Sequence, residues 1–282
     1  MSTSPLSSAE AARQSVAKRL RNLRKDAGLT TQGLADLCGW NKSKTSRIEN
    51  VRTTPSDADI RAWCMACNAR ELAADLVAAS RDAESMYVQW RGQQRTGMRR
   101  LVDVSRPLYQ STSLFRIYCS NVMPGLLQAE SYAQQLLSDI ADFRQVPNDS
   151  AAAAAARFDR AQIIRDGLHR VVLLVEESVL RRRDADDAAM AGQLGYLLTA
   201  MSYPAVSLGI IPQSARRTMW GVEQFSIFDD KRVHVELMAG KVTLTSPGDV
   251  DVYLRAFEQM RQMAVYGPEA RLLINAAIDS LG

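Results

Sequence analysis

The sequence predicts two domains of different classes: an all-α domain at residues 10–82 and an α+β domain with a mainly antiparallel sheet at residues 86–282. Three observations predict this arrangement. At 282 residues, the chain is long enough to form two separate hydrophobic cores. Helical patterns fill the first 85 residues, whereas strand patterns occur only beyond them. A hydrophobic content of 46% and a charged content of 23% are typical of globular domains.

The first domain is predicted to contain five helices, because residues that end helices separate five helical patterns. Gly28, Gly39 and Pro55 mark three of these ends. Thr30 and Asn41 are suitable N-caps for the second and third helices. The five predicted helices are 10–27, 31–38, 41–50, 57–68 and 69–85.

The joint between the second and third helices has the spacing of a helix-turn-helix. Ala35 is small enough for the third helix to cross close to it, and Gly39 permits the sharp turn between the two helices. Leu34, Trp40 and Ile48 are placed to bury the inner face of this pair. The arrangement projects the start of the third helix outwards, where it can enter a DNA major groove.

The third helix carries basic and hydroxyl side chains on one face. Helical spacing places Lys42, Ser43, Ser46 and Arg47 near that face, with Thr45 and Ile48 opposite. A solvated surface helix would show the same pattern, so the surrounding sequence has to decide between the two readings.

The charge of the chain is concentrated near its start. Residues 1–56 contain ten Lys or Arg against four Asp or Glu, whereas the remaining residues contain 25 against 27. All of the excess positive charge therefore lies in the first fifth of the chain. This asymmetry indicates a polyanionic partner for the first domain and favours DNA contact over a merely solvated face.

The segment GLTTQGLADLCGWNKSKTSRIENVRTTPS resembles the Cro/CI (xenobiotic-response-element) type of helix-turn-helix, and the resemblance covers residues 13–80. Its SRIEN and TPS parts match the usual motif. Three positions depart from it: Thr31 replaces a Gln, Thr45 replaces an aliphatic residue, and Val51 replaces a glycine. The last departure predicts an altered turn after the third helix.

The resemblance implies two kinds of DNA contact. The base-reading positions match Lys42, Ser43 and Arg47, with Ser46 as a further candidate. Arg47 is the predicted guanine reader, because its fork can bind O6 and N7 together. Glu49 is predicted to bond inside the domain. The predicted phosphate contacts are Thr31, Gln32, Lys44 and Arg52.

The second domain is predicted to mix strands and helices. Predicted helices start near Leu126, at the alanine-rich run SAAAAAARFDRAQIIRDG, at DADDAAMAGQLGYLLTAMS, and at two closing segments beyond residue 248. The predicted strands are LFRIYCSNV, HRVVLLVEES, VSLGIIP, QFSIFD, RVHVELM and KVTLT.

The segments VMPGLLQAESYA, LLVEESVL, WGVEQFSIF and VHVEL, with two closing helices, resemble a large actinomycete family of regulators. In that family the same helix-turn-helix precedes a C-terminal domain of unassigned function, and the resemblance runs from residue 85 to the end. Met123, Ala129 and His234 depart from the usual pattern. Apolar walls with a few polar groups are typical of a ligand or partner pocket. The predicted pocket residues are Leu127, Gln128, Tyr132, Glu177, Trp220 and Glu236.

No catalytic or metal-binding constellation is apparent in the sequence. Cys64 and Cys67 form a CxxC on a predicted helix, but no second pair completes four zinc ligands, so they are predicted to pack in the core. Glu176 and Glu177 are adjacent in a strand and should point to opposite faces, with Glu177 either ordering a loop or lining a pocket. We therefore expect no enzyme activity, no metal and no cofactor.

The closing helices offer an apolar stripe with two readings. Tyr253, Phe257, Met260, Met263 and Leu272 recur at helical spacing, and they could form a dimer face or pack on the domain's own sheet. A homodimer is expected because one recognition helix covers only half of a two-fold operator in double-stranded DNA.

The leading hypothesis is a dimeric, DNA-binding transcriptional regulator, such as a repressor, whose second domain senses a ligand or small partner protein. The second resemblance implies an alternative, an antitoxin-like protein that binds a small acidic protein and regulates its own operon. An enzyme tethered to DNA is a third hypothesis, which lacks a nucleophile and base. The start of the chain lacks the features of a signal peptide, and its apolar runs are too short to span a bilayer. A cytoplasmic location without membrane partners is expected.

Overall fold

The chain forms two compact units, residues 1–88 and 89–282. A computed structural model describes residues 5–85, 87–89, 94–221 and 223–281. The predicted start of the second domain, residue 86, lies outside the described residues.

The first unit is helical, as predicted. A 3₁₀ turn at Arg70–Leu72 precedes the fifth helix. Its helices are α1 (Pro5–Asp26), α2 (Thr31–Cys38), α3 (Lys42–Glu49), α4 (Asp57–Ala66) and α5 (Ala73–Ser85).

Side-chain caps fix where three of these helices begin. The Thr30 hydroxyl accepts from the N–H of Gly33 at 3.0 Å, and the Asn41 carbonyl oxygen accepts from the N–H of Lys44 at 3.0 Å. Ser56 and Asp59 form a reciprocal capping box at the start of α4. Gly39 has a φ of 71°, which lets the chain turn sharply between α2 and α3. Local sequence thus sets the angle at which α3 leaves the unit.

The core of the first unit lies among all five helices. Leu34, Ile48 and Trp63 are almost completely buried in it, and the Trp63 indole donates to the carbonyl of Leu20 at 3.0 Å. Cys64 and Cys67 are buried in the same core, as predicted, and burial raises the pKa of Cys67 to about 11.

The second unit mixes helices and strands. A short strand, β1 (Tyr87–Gln89), lies at the boundary between the units. Its helices are α6 (Arg99–Ser111), α7 (Glu130–Arg144), α8 (Ser150–Arg160), α9 (Glu177–Leu180), α10 (Asp187–Ala200), α11 (Pro247–Gln262) and α12 (Gly267–Asp279). Its strands are β2 (Leu114–Cys119), β3 (Arg170–Glu176), β4 (Val206–Ile211), β5 (Phe225–Phe228), β6 (Arg232–Glu236) and β7 (Gly240–Leu244).

These six strands form a mixed sheet in the order β7-β6-β5-β2-β3-β4. The α+β class is confirmed, but the expectation of a mainly antiparallel sheet needs correction. β5, β6 and β7 pair antiparallel through short turns, whereas β2, β3 and β4 are parallel to one another. The helices between these last strands, α7 with α8 and then α10, are the crossovers that parallel pairing requires.

The two faces of the sheet are covered by different helices. On one face, the Tyr253 ring of α11 packs edge-on against Phe225 of β5, with ring centroids 4.9 Å apart. On the other face, Phe115, Leu173 and Ile210 belong to the main core of the unit. The antiparallel part of this second face carries more polar residues, including Ser226 and His234.

Several predicted helices have different bounds in the structure, including two in the second unit. The helix expected from Leu126 begins at Glu130, because residues 124–127 form turns. The alanine-rich helix ends at Arg160 and continues as a 3₁₀ turn at Ala161–Ile164. Over the described ranges, no helix combines the length and the apolar character needed to cross a bilayer.

Candidate DNA-binding face and candidate ligand cavity

The outer face of α3 is formed by the four predicted base-reading candidates. Lys42, Ser43, Ser46 and Arg47 are all exposed, while Thr45 and Ile48 on the inner face are buried. The side chains of Lys42 and Arg47 have no hydrogen bond or ion pair to any other described residue. Their donors are therefore available to an external acceptor.

The hydroxyl groups on this face already have local partners. Ser43 donates to the Asn41 cap at 2.5 Å, and Ser46 accepts from the Asn50 amide at 3.3 Å. Both hydroxyls can still exchange these bonds for an external partner, because both residues are exposed.

The predicted phosphate contacts divide into free and engaged side chains. Arg52 is exposed without a side-chain partner among the described residues, whereas the Gln32 amide donates to Asp36 at 2.7 Å. Thr31 is only partly exposed. Lys44 is held inside the unit, since its Nζ lies 2.6 Å from Asp59 Oδ1 and 4.6 Å from the centroid of the Trp40 ring. Its ammonium thus ties α3 to the start of α4, and the predicted phosphate contact of Lys44 stays a prediction.

Glu49 forms ion pairs inside the first unit, in agreement with its predicted internal role. Its carboxylate lies 2.5 Å from Nε of Arg24 and 3.2 Å from Nε of Arg21. Arg24 also donates to the carbonyl of Leu29 at 2.7 Å. This network connects the end of α3 to α1, so it fixes the angle of the outer face of α3.

Two departures from the helix-turn-helix pattern have a structural explanation. The hydroxyl of the buried Thr45 accepts from the Trp40 indole N–H at 3.0 Å, so each of these polar groups has a partner. Val51 has a φ of 58°, a left-handed conformation that β-branched residues rarely adopt. Val51 thus adopts a backbone conformation suited to a glycine, and the expectation of an altered turn stays a prediction.

The second unit contains a cavity of about 130 Å³ on the face of the sheet that carries Ser226 and His234. Its walls come from α6, α8, the loop before α7 and the strands β2, β5 and β6. The apolar part of the lining includes Tyr109, Ile117, Cys119, Met123, Leu126 and Phe228. The polar part includes Gln128, Arg157, Arg160, Gln224, Ser226, His234 and Glu236.

Two arginines from α8 line this cavity. Arg157 donates to Gln128 Oε1 at 2.9 Å, and Arg160 donates to the Ser105 hydroxyl at 2.6 Å while its guanidinium lies 4.0 Å from the Tyr109 ring centroid. No carboxylate of the described residues lies within ion-pair distance of either guanidinium. Burial lowers the pKa of Arg157, and the neighbouring Arg160 lowers it further.

Two buried polar atoms of this lining have no hydrogen-bond partner among the described residues. They are Nε of Arg160 and Oε1 of Gln224. Since buried polar groups are nearly always paired, both side chains can gain a hydrogen bond from a further partner. His234 adds no positive charge, because burial together with Lys241 and Arg232 lowers its pKa to about 3.

Only part of the pocket predicted from sequence lines this cavity. Gln128 and Glu236 do. Leu127 is completely buried, and its carbonyl accepts from Gln193 at 2.6 Å. The Tyr132 hydroxyl accepts from the N–H of Met123 at 3.3 Å and donates to an aspartate. Leu127 and Tyr132 therefore help to fix the loop at residues 123–129 but do not line the cavity.

Glu177 and Trp220 also lie outside the cavity lining. Glu177 accepts from the N–H of Gln213 at 3.0 Å and from Arg181 at 3.2 Å, so it orders the loop after β4. Its neighbour Glu176 binds Tyr118 and Arg217 instead. Trp220 is exposed. Of the two roles predicted for Glu177, ordering a loop is therefore the one observed.

The apolar stripe of the closing helices is largely internal. Tyr253, Phe257 and Met260 are buried in their own unit, which leaves only Leu272 of the stripe widely exposed. For the three buried residues, packing within their own unit is the observed arrangement, so these three do not form a free dimer face.

Sequence reasoning missed Arg157 and Arg160. They lie three residues apart at the end of an alanine-rich helix that was interpreted by helix propensity alone. Ala153 and Ala154 pack against Ala133 and Leu137 of α7, which shows that the small residues allow close helix packing. The sequence signal that could have identified them is the presence of two arginines at helical spacing beside a stripe of small residues.

Comparison with known families gives two matches and one negative result. Residues 15–77 match the family model described as a helix-turn-helix domain. Residues 110–276 match the model described as a domain of unknown function, DUF5753. No curated protein matches the chain.

Proposed function

Because the chain belongs to the DUF5753 family and carries a helix-turn-helix DNA-binding domain ahead of it, we propose that it is a sequence-specific transcriptional regulator with a ligand-sensing second unit. The observation that carries the first part is the outer face of α3. There Lys42 and Arg47 are exposed with unoccupied donors, on a helix whose inner face is fixed by Thr45, Ile48 and Glu49. A helix whose inner face is fixed by packing and ion pairs can present its outer side chains to base edges in the major groove.

Two copies of the chain bind a two-fold operator in this proposal. One recognition helix reaches a single half-site, and two half-sites about one helical turn apart need two helices related by symmetry. The operator should accordingly contain an inverted repeat.

The second unit acts in this proposal by binding a ligand and not by catalysis. Its cavity brings together cationic, amide and aromatic groups, which are suited to holding a small molecule. His234, the histidine of the lining, has a pKa of about 3 and is therefore a poor general base at neutral pH. The small cavity volume, about 130 Å³, favours a small molecule over a protein as the effector.

The proposal is tested by selecting operator DNA from a random library with the full chain and then measuring variants on the selected sequence. Arg47→Ala should weaken binding by about 1–3 kcal/mol and relax base preference at one position of each half-site. Arg70→Ala is the matched control, because Arg70 is an exposed arginine of the same unit outside α3.

Three outcomes would contradict the proposal. The selection could return no preferred sequence, or it could return one without an inverted repeat, which would remove the dimeric part. Equal losses for Arg47→Ala and Arg70→Ala, with base preference unchanged, would remove the assignment of Arg47 as a base reader.

A further inference from the structure

The cavity of the second unit has a charge imbalance in its lining. Arg157 and Arg160 contribute two guanidiniums, Glu236 contributes one carboxylate, and His234 is neutral. Glu236 is exposed and lies beyond ion-pair distance from both arginines, although it is near enough to raise the pKa of Arg157 in part. The lining therefore has an excess of one positive charge.

The guanidiniums are positioned with unused donors. Each has one hydrogen bond through Nη1, Arg157 to Gln128 and Arg160 to Ser105. Arg160 is nine-tenths buried, and its Nε has no partner among the described residues. A buried cation without a compensating anion is costly, and an anionic group can remove that cost by accepting from several donors at once.

The remaining walls restrict the body of a ligand. Ile117, Met123 and Phe228 present apolar surface, and the volume of about 130 Å³ is close to that of a cavity able to hold one benzene ring, about 150 Å³. The buried Oε1 of Gln224 needs a hydrogen-bond donor.

We propose that this cavity binds a small organic carboxylate, of about the size of one aromatic ring, that also carries a hydrogen-bond donor such as a hydroxyl. Arg157 and Arg160 bind the carboxylate, and Gln224 accepts from the donor. A monoanion fits better than a phosphate dianion, because it matches the excess of one positive charge and its body fits the apolar walls. The inference rests on the proposed sensing role and identifies the chemical class of the ligand.

The loop at residues 123–129 links the site to its surroundings. Gln128 accepts from Arg157 and donates to the carbonyl of Met123 at 2.9 Å, so one amide connects a ligand-binding guanidinium to the loop backbone. A carboxylate that draws Arg157 towards it changes the partner of Gln128 and thereby the packing of this loop.

The test measures binding of 4-hydroxybenzoate, benzoate, benzamide and inorganic phosphate to the full chain by ligand-detected NMR and calorimetry, without DNA. We expect 4-hydroxybenzoate to bind most tightly and benzoate to bind at least tenfold more tightly than benzamide, its neutral counterpart of the same shape. Arg157→Met should weaken binding of both acids at least tenfold and leave benzamide unaffected.

The control variants separate recognition from folding. Arg271→Met removes an exposed arginine of α12, far from the lining in sequence, and should leave every affinity unchanged. Gln224→Leu should remove the advantage of 4-hydroxybenzoate over benzoate while keeping the preference for acid over amide. Arg157→Met is expected to fold, which the unchanged benzamide affinity reports directly.

The proposal is overturned if neither acid shows saturable binding, if benzamide binds as tightly as benzoate, or if phosphate binds more tightly than both acids. Unchanged acid affinity in Arg157→Met would overturn it as well. Since none of these measurements involves DNA, they can fail while the operator experiment succeeds, and the operator experiment can fail while they succeed.

Discussion

Each unit of the protein buries an arginine, and the two arginines differ in what surrounds them. Arg24 in the first unit is 8% exposed and has the Glu49 carboxylate 2.5 Å from its Nε. Arg160 in the second unit is 9% exposed and contacts a hydroxyl and an aromatic ring, while its Nε and its charge have no partner among the described residues. Equal burial thus accompanies an ion pair for the arginine of one unit and no ion pair for the arginine of the other.

The comparison separates a structural ion pair from a group that we propose binds a ligand. A paired buried charge contributes to a fixed geometry, which in the first unit is the angle between α3 and α1. An unpaired buried charge lowers stability, and ionisable groups perturbed by burial cluster at functional sites. The following three experiments act on this contrast, from the largest expected effect to the smallest.

Glu49→Gln should destabilise the first unit by about 3–5 kcal/mol, because it leaves Arg24 buried without a counter-charge. Hydrogen–deuterium exchange read by mass spectrometry can measure this loss in each unit separately. Protection should fall in α1, α3 and α4 and stay constant in the second unit. Glu71→Gln, at an exposed glutamate of the first unit, is the control. A loss below about 1 kcal/mol would mean that the pair is not a structural element.

The second unit should lose stability in acid through His234. Its pKa is about 3 in the folded chain against an ordinary value of 6.5, so between these values the unfolded chain binds a proton that the folded chain excludes. Stability is unaffected above pH 6.5 and falls by about 1.4 kcal/mol per pH unit below it.

Between pH 7.5 and 5.0, the wild-type chain should therefore lose about 2 kcal/mol more than the His234→Gln variant. Urea denaturation at the two pH values measures this difference. Parallel losses in the two proteins would show that His234 is protonated in the folded cavity, which would add a cation to the lining.

The smallest effect is expected for Arg157→Met. It removes a cation whose pKa is lowered by burial and so relieves desolvation, but it also removes the hydrogen bond to Gln128. These contributions oppose each other, and the unfolding free energy should change by less than about 1 kcal/mol. Arg24→Met is the matched variant and should cost several-fold more. Equal losses in a denaturation experiment would abolish the distinction between Arg24 and the arginines of the cavity.

The contrast between the units also explains which features could be predicted from sequence. The helix-turn-helix was predictable because Leu34, Ala35, Gly39 and Ile48 lie within one short segment and their roles follow from helical spacing. Caps such as Thr30 and Asn41 act within three residues of their own position. Information about this unit is therefore local.

The cavity depends on contacts that are distant in the chain. Tyr109, Arg157 and Glu236 line one cavity although α6, α8 and β6 contribute them from distant parts of the chain. Leu127, Tyr132 and Glu177 were singled out through a resemblance in short motifs, and the structure shows that they order loops beside the cavity. A short sequence motif can indicate residues that fix a loop. It does not tell whether those residues line a binding site or only stabilise the loop beside it.

The ion pair between Lys44 and Asp59 has a consequence for how binding depends on salt. DNA releases condensed counterions in proportion to the phosphates that a protein neutralises. Lys44 is already neutralised by Asp59, the carboxylate that also caps α4. It can neutralise a phosphate only by giving up this partner. Counting basic side chains around α3 therefore overestimates the number of ions released, by one for each copy of the chain that binds.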